Sequence, residues 1–521
     1  SRTKPIQQLD ADQGPAFTRS LVLALVLLAL LLRIWRLAGQ SLWLDEAFSV
    51  WMSEQPPSEL LSWTVQIDQH PPLYYLVLQA WTLLGGRILS PAARAFWVRV
   101  PSALFGTLTV AILYQLGCRF AGRRTGMLAA LILALSPFHV WFGQEARMYT
   151  LLTLNASLAT LGLVRLIWPP PHPSLVKCTG EGEQTRTRAR ALSFPPVNCA
   201  GGIEEGTAWA LYILFTAATL WTHNTAILFW LATNLFFVGW ILVSQKQETG
   251  FKNPVSPSLR NWLLAQLAIL LLWSPWLMPF VRQAAGVDRE FWIPGPTWAT
   301  LGDTLTTFLS AFLPQQVAWQ SLTWLAGGIL FLAGVYALGK KPARLALGLA
   351  LLVTPIAGEL LVSLRRPIYY TRTLIWATLP FYLLLAAGAA HALPVRPDVG
   401  TRRRTIARIA LLMALAVLAA ANARSLQNYY TNGHKEAWDQ AAAYVSQRVQ
   451  PGDLILFNAS WVQLPFDFYF VPPVPVAEHG LPVDLFDRGI LEPKMTEEDL
   501  SHLHALLQGH TRAWLVSSHN W

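Results

Sequence analysis

Apolar side chains fall in long unbroken runs along this chain, and polar ones gather in the gaps between them. Runs near 21–39, 101–117, 127–142, 148–168, 207–222, 224–243, 261–281, 321–338, 343–363, 373–390 and 406–423 each approach the roughly 20 residues that a bilayer-spanning helix needs. The pattern predicts about eleven transmembrane helices between 21 and 423, behind an N-terminal segment 1–20. One gap has its own period. In "LWLDEAFSVWM", Trp43, Ala47 and Trp51 recur every four residues with Leu44 and Phe48 beside them. Asp45, Glu46 and Ser49 lie towards the other side, which predicts an amphipathic helix in the membrane surface. From Lys435 the pattern becomes that of a soluble domain. "HKEAWDQAAAYVSQRV" has helical periodicity, and "PGDLILF" and "RAWLVSS" read as short strands. Residues 424–521 are therefore expected to form a small α/β domain, read as incomplete where the chain stops at Trp521.

Charge sorts the gaps into two sets. "CRFAGRRTG", "EQTRTRAR", "SQKQETGFKNPVSPSLR", "GKKPAR" and "RPDVGTRRRTIAR" alternate along the chain and are rich in Lys and Arg. Placing them in the cytoplasm puts the N-terminus inside and the C-terminus outside, as an odd number of spans also requires. The remaining segments, 40–100, 143–147, 222–224, 282–320, 365–372 and the tail from 424, then face outwards. They carry most of the clusters that mix aromatic and charged residues. The stretch 169–206 is rich in Pro, Gly and charge without helical or strand period, and reads as a flexible cytoplasmic loop.

Composition agrees. Of 521 residues, 53% are hydrophobic and 13% charged, with 24 Trp; a soluble domain is about a quarter charged. The net charge of +10 sits in short segments between apolar runs, so it speaks for membrane topology and not for nucleic acid. The first run is too long for a signal sequence and lacks a small-residue cleavage site, so it reads as a retained anchor. The chain starts without Met, which reads as a processed or cut start. Of three cysteines, Cys178 and Cys199 lie in the insert and read as free thiols, and no C-x-x-C pair exists.

Candidate chemistry concentrates in the outward segments. Adjacent helical residues point about 100° apart, so Asp45 and Glu46 cannot both address one reacting atom; Asp45 is the chosen one. Asp68 and His70 precede Pro71, Pro72 and Tyr74 in "IDQHPPLYYL". "FGQEARMYT" sets Glu145, Arg147 and Tyr149 at an outer helix start, and "WTHNTA" sets His223 and Asn224 in a short turn. Arg365, Arg366 and Arg372 stand at the outer end of a late span. Each has a plain alternative: solvated surface acids, a structural histidine, a helix-start ion pair, turn chemistry, or headgroup anchoring. Asp45, Glu46, Asp68 and His70 are ligand types for a divalent metal. None of them shows the i, i+4 spacing of a zinc helix, so no metal is required. No nucleotide-binding glycine motif is present.

"DEA" after the first span, followed by "D-x-H-P-P-L-Y-Y", resembles the GT-C glycosyltransferases of the protein O-mannosyltransferase-like type. That group comprises glycosyltransferase family 39 and bacterial relatives such as the lipid A aminoarabinose transferase. "RVPSALFGTLTVAILYQLG", "LALSPFHVWFGQEARMYTLLTL", "LWTHNTAILF" and "YYTRTLIWATLPFYLLLAAG" look like later blocks of the same family in the same order. "EAWDQAAAYV…PGDLILF" resembles its outer tail, so only 169–206 is left uncovered. The resemblance implies a polytopic GT-C enzyme of the bacterial inner membrane, with no required cofactor. It would move a sugar from a polyprenyl-phosphate donor to a glycan, lipid or protein acceptor outside the cytoplasm. Asp45 would be the general base of a single inverting displacement, with Glu46 a helper or structural acid. Asp68, His70, Tyr74, Glu145, Arg147, Tyr149, His223 and Asn224 would line the substrate site. Arg372, then Arg365 and Arg366, would hold the donor phosphate. The aminoarabinose type has Glu-Lys before Pro-Pro where this chain has Gln69-His70, which leaves the sugar open. Rival readings are a transporter or flippase of lipid-linked glycans, an assembly protein, and a polymerase or ligase. A transporter buries ionisable groups at mid-membrane in repeated halves, whereas these spans carry few internal charges and the two halves show no repeat.

Overall fold

Long apolar segments have one open-ended solution in lipid, the α-helix, which satisfies its backbone polar groups internally. The computed structural model describes residues 15–68, 70–85, 89–168, 199–246, 258–286, 293–314, 316–392, 402–487 and 495–518, and is mostly helical. α1 (Pro15–Ile34) leads to three short helices at one end of the bundle: α2 (Leu44–Glu54), α3 (Pro57–Gln66) and α4 (Leu73–Thr82). α5 (Pro91–Phe120) runs back. α6 (Arg123–Leu135) and α7 (Pro137–Gly143) follow as a pair bent by 59° where Pro137 cannot continue the hydrogen-bond ladder. α8 (Tyr149–Ile167), α9 (Cys199–Leu220), α10 (Ile227–Lys246) and α11 (Leu259–Gly286) come next, then the short α12 (Trp298–Ser310). α13 (Val317–Gly339), α14 (Pro342–Ser363), α15 (Thr378–Ala392) and α16 (Arg402–Asn432) complete the bundle, with a 3-10 turn at Thr371–Ala377 ahead of α15.

Among the described residues, 9 helices are long and apolar enough to cross a membrane, or 10 if α6 and α7 make one span. The expected run at 207–222 is α9, which lies outside that count and carries Glu204 and Glu205 in its first turns. Residues 199–206, expected in a loop, are thus helical, whereas 169–198, with Cys178, lie outside the described residues. So do 1–14 of the N-terminal segment.

α8 and the span containing α15 form the axis, 89% and 94% buried, while α1, α11 and α16 are 11% to 22% buried and turn leucines outwards. Close approach at the axis needs glycine. A Cβ on Gly334 of α13 would lie 2.0 Å from the Leu384 carbonyl oxygen of α15, and one on Gly388 would lie 2.0 Å from that of Leu330.

The tail folds as α17 (Trp438–Ser446), β1 (Leu454–Asn458), α18 (Gln463–Asp467), β2 (Ala477–Leu481), α19 (Asp499–Leu507) and β3 (Ala513–Ser517). The strands form one parallel sheet in the order β2-β1-β3, with Leu454 opposite Ala477 and Ala513. Leu454, Ile455, Leu456 and Phe457 are all buried, as a central parallel strand covered on both faces requires. The sequence pattern points to β1 and β3. It misses β2, whose "AEHGL" lacks alternation.

This domain seats on the loop after α1. Leu42 N–H donates to the Tyr469 hydroxyl (2.8 Å), Trp438 N–H to Ser41 Oγ (3.1 Å), and Phe486 packs 4.9 Å from both Trp51 and Trp63. The loop and the tail therefore share one end of the bundle. At the other end the basic connections 118–126 and 339–344 meet, and Arg344 donates to the Phe120 carbonyl at 2.9 Å.

Candidate active site

Acidic residues in the first turn of a helix sit favourably against its N-terminal partial charge, and α2 opens with Asp45 and Glu46. As their 100° separation demands, the two diverge. The Asp45 side chain stays 22% exposed and meets two guanidiniums: Arg372 Nη1 lies 3.0 Å and Arg147 Nη2 3.6 Å from Oδ2. Arg147 Nη1 also donates to the Asp45 carbonyl (3.1 Å) and to Ser49 Oγ (3.2 Å), which fixes the first turn of α2 against the start of α8. Burial pushes the Asp45 carboxyl up, but Arg147, Arg372 and His70 together outweigh it and hold the group below the usual carboxylate range. Arg372 comes from the 3-10 turn, with its guanidinium 4.6 Å from the Tyr370 ring and 5.8 Å from that of Tyr149. The turn is pinned from below, since Thr373 Oγ1 donates to the buried Glu359 carboxylate of α14 at 2.7 Å.

Glu46 points inwards and is fully buried. Arg99 of α5 grips it with Nε and Nη2, both at 2.7 Å, Lys435 Nζ lies at 2.8 Å, and Ala146 N–H donates at 2.8 Å. Against the upward push of burial, the Arg99 and Lys435 charges bring its carboxyl down to about 2. Arg99 spends its remaining donors on the carbonyls of Leu37, Gln40 and Ser41. Lys435 also reaches Glu145 Oε1 at 3.0 Å, which in turn accepts from Trp141 Nε1 at 2.7 Å. Burial first, then the neighbouring Glu46, pushes the Glu145 carboxyl up despite Lys435. Glu46 and Glu145 thus belong to a buried charge network beneath α2 that ties α5, α7 and the start of the tail together.

A second cluster lies beside Asp45. His70 Nδ1 donates to Asp68 Oδ1 at 2.8 Å, and its ring lies 5.1 Å from that of His223, which is 6.1 Å from Tyr149. Tyr74 is buried and contacts Ser102 Oγ at 3.5 Å. Asn224 turns to α11, donating to Gln283 Oε1 (2.9 Å) and accepting from Trp276 Nε1 (3.1 Å). Gln283 Nε2 then donates to the carbonyls of Thr64 and Asp68, both at 2.9 Å, and so holds the loop that carries Asp68 and His70.

The structure therefore brings Asp45, Arg147, Tyr149, His223 and Arg372 together with the Asp68–His70 pair. It does not bring in Arg365, which is exposed, or Arg366, which donates to the Ala284 carbonyl. Arg365 and Arg366 lie in the turn that ends α14, and the irregular stretch 367–370 separates them from the 3-10 turn that carries Arg372. Among the described residues, no group of three or more His, Cys, Asp or Glu side chains is placed to hold a metal ion. Sequence reasoning missed Arg99, Lys435, Gln283 and Glu359. A lone Arg in an apolar span signals a functional or buried partner by default, so Arg99 had a readable signal. Lys435 and Gln283 had none, because only the tertiary packing gives them partners.

The fold has counterparts among known proteins. A family profile described as dolichyl-phosphate-mannose-protein mannosyltransferase matches residues 69–168, the stretch from His70 to the end of α8. No curated protein matches the chain in sequence. Solved structures do resemble it. ArnT from Cupriavidus metallidurans bound to undecaprenyl phosphate is 12% identical, with 95% of this chain and 93% of that one covered at a TM-score of 0.54. The same protein in its apo state gives 12% identity, 95% and 92% coverage, and a TM-score of 0.57. The Archaeoglobus fulgidus oligosaccharyltransferase tethered to an acceptor peptide gives 10% identity, 89% and 64% coverage, and a TM-score of 0.50. Shared over nearly its whole described length, the architecture of this chain is the GT-C fold.

Proposed function

We propose that this chain is a membrane glycosyltransferase that moves a sugar from a polyprenyl-phosphate donor to an acceptor outside the cytoplasm. The observation that carries the reading is Asp45: a part-exposed carboxylate at one end of the bundle, flanked by two guanidiniums at 3.0 and 3.6 Å. A sugar carried on a lipid phosphate presents its anomeric carbon at headgroup depth, where surface helices such as α2 lie. The ArnT structure with undecaprenyl phosphate, of the same fold, supports a donor of that class.

In the reaction the acceptor hydroxyl or amine attacks the anomeric carbon, and its proton passes to Asp45. The bond from that carbon to the phosphate oxygen breaks on the opposite face, so the configuration inverts and polyprenyl phosphate leaves with an added negative charge. Arg372 and Arg147 supply the positive charge that this leaving group needs, in the planar fork geometry that suits phosphate oxygens. Arg372 Nη1 donates to Asp45 Oδ2 itself. A donor phosphate competes for that guanidinium and, on taking it, makes the carboxylate more basic just when a base is needed.

The test is transfer from a defined polyprenyl-phosphate sugar by purified protein, with mass spectrometry of the product. Asp45→Asn should lower kcat by about 100-fold or more, the usual scale for a general base, while the variant still elutes as a folded, monodisperse protein. Full activity in that variant, or a product of retained configuration, refutes the assignment.

A further inference from the structure

His223 carries a polar atom that the fold leaves idle. The residue is 5% exposed, in the turn between α9 and α10. Its Nδ1 accepts from the Thr225 backbone N–H at 3.2 Å and contacts Thr225 Oγ1 at 2.9 Å. A backbone N–H can only donate, so Nδ1 must present its lone pair and the ring proton must sit on Nε2. Among the described residues that Nε2–H has no hydrogen-bond partner. It lies on the edge of the ring away from the Thr225 turn, in an imidazole whose neighbours are the rings of His70 and Tyr149. Leaving a buried donor unmatched is costly, so an unmatched donor walled by site residues is readily explained by an acceptor that arrives with the substrate.

Resting on the lipid-phosphate reading above, we propose that His223 donates its Nε2–H to a non-bridging oxygen of the phosphate that joins the sugar to its polyprenyl carrier. Three features select phosphate over a sugar hydroxyl. Arg147 and Arg372 set two guanidiniums beside Asp45, in the fork geometry that pairs with phosphate oxygens. Phosphate oxygens only accept, which matches a donor that cannot accept. The acceptor also gains charge as the glycosidic bond breaks, so this hydrogen bond strengthens along the reaction. Burial, then His70, Arg372 and Arg147, keeps the imidazole far from protonation. His223 therefore stabilises the leaving phosphate and does not protonate it. The same tautomer removes the Nε2 lone pair, so the ring is not set up to ligate a metal.

Binding of polyprenyl phosphate without a sugar isolates this contact, measured on the full chain in lipid nanodiscs with the free polyprenol as control. His223→Leu should weaken the phosphate ligand about 10- to 100-fold, the scale of a hydrogen bond to a charged group, and leave the polyprenol unaffected. His223→Gln, which keeps an N–H donor, should bind within a few-fold of wild type. Should the Leu variant unfold, His223→Asn serves in its place, since its shorter amide withdraws the donor while keeping polarity. Equal binding of polyprenyl phosphate by the wild type and the donor-less variant overturns the proposal. A loss seen only with the sugar-bearing donor also overturns it, by moving the contact to a sugar hydroxyl. Failure of the wild type to bind any polyprenyl phosphate instead overturns the functional reading on which it rests.

Discussion

Replacing Glu46 by Gln removes one charge from the network beneath α2 and keeps its shape. Two estimates give the cost. A carboxyl held at about 2 instead of its ordinary 4.5 is stabilised in the folded state by roughly 3 kcal/mol, at about 1.4 kcal/mol per pH unit. Removing one partner of a buried ion pair costs about 3–5 kcal/mol, and a glutamine oxygen could still accept one hydrogen bond from Arg99 without balancing its charge. The two agree because Glu46 is fully buried and its main partner Arg99 is almost so, which leaves little solvent screening. The sign follows from the lowered value. The contribution is complete above pH 4.5 and fades as pH falls towards 2, with roughly half remaining near pH 3. Thermal unfolding of the detergent-solubilised protein at pH 7 should therefore show Glu46→Gln melting several degrees below wild type. That gap should narrow below pH 4. Because the charge lost is shared with Arg99, Glu46→Met with Arg99→Met should cost less than the sum of the single changes. An unchanged midpoint at pH 7, or a gap that does not narrow in acid, refutes the assignment of Glu46 as an ionised structural anchor.

Arg372→Lys, which keeps the charge but loses the fork, should lower kcat by about 10²-fold or more if the guanidinium supports the leaving phosphate, read by steady-state transfer. Arg372→Gln removes a charge that holds the Asp45 carboxyl down, so the acid limb of the kcat pH profile should move to higher pH; an unmoved limb separates Asp45 from the base role. Lys435→Met deprives Glu46 and Glu145 of their shared cation and should loosen the tail, seen as faster limited proteolysis near 433–436. Gly334→Val drives a side chain into the α15 backbone, and should abolish the monodisperse peak in size-exclusion chromatography, whereas the same change at the open Gly328 should not.

The bundle was legible in the sequence because lipid leaves an apolar run of some twenty residues one dominant option, and a run of that length cannot hide. α2 was legible for a related reason: a four-residue recurrence of Trp43, Ala47 and Trp51 is a local property of a helix, and so is the divergence of Asp45 from Glu46. The strands β1 and β3 announced themselves through short, dense hydrophobic runs. Pairing was not legible. Nothing in "NGHKEAWD" says that Lys435 reaches back to Glu46 and Glu145, nor in "VRQAAG" that Gln283 fixes the Asp68 loop, since those partners lie hundreds of residues apart. Likewise Arg365, Arg366 and Arg372 carry the same charge at one span end, and only the family resemblance ranks Arg372 first. Only the stretch 367–370 beyond the end of α14 and the Thr373–Glu359 hydrogen bond decide that Arg372 faces Asp45. Local periodicity is set by bonds between neighbours and by the solvent around them, so the chain alone determines which segments cross the membrane and which lie on it. The match of one charge to another is set by distance in space, and that the tertiary structure decides.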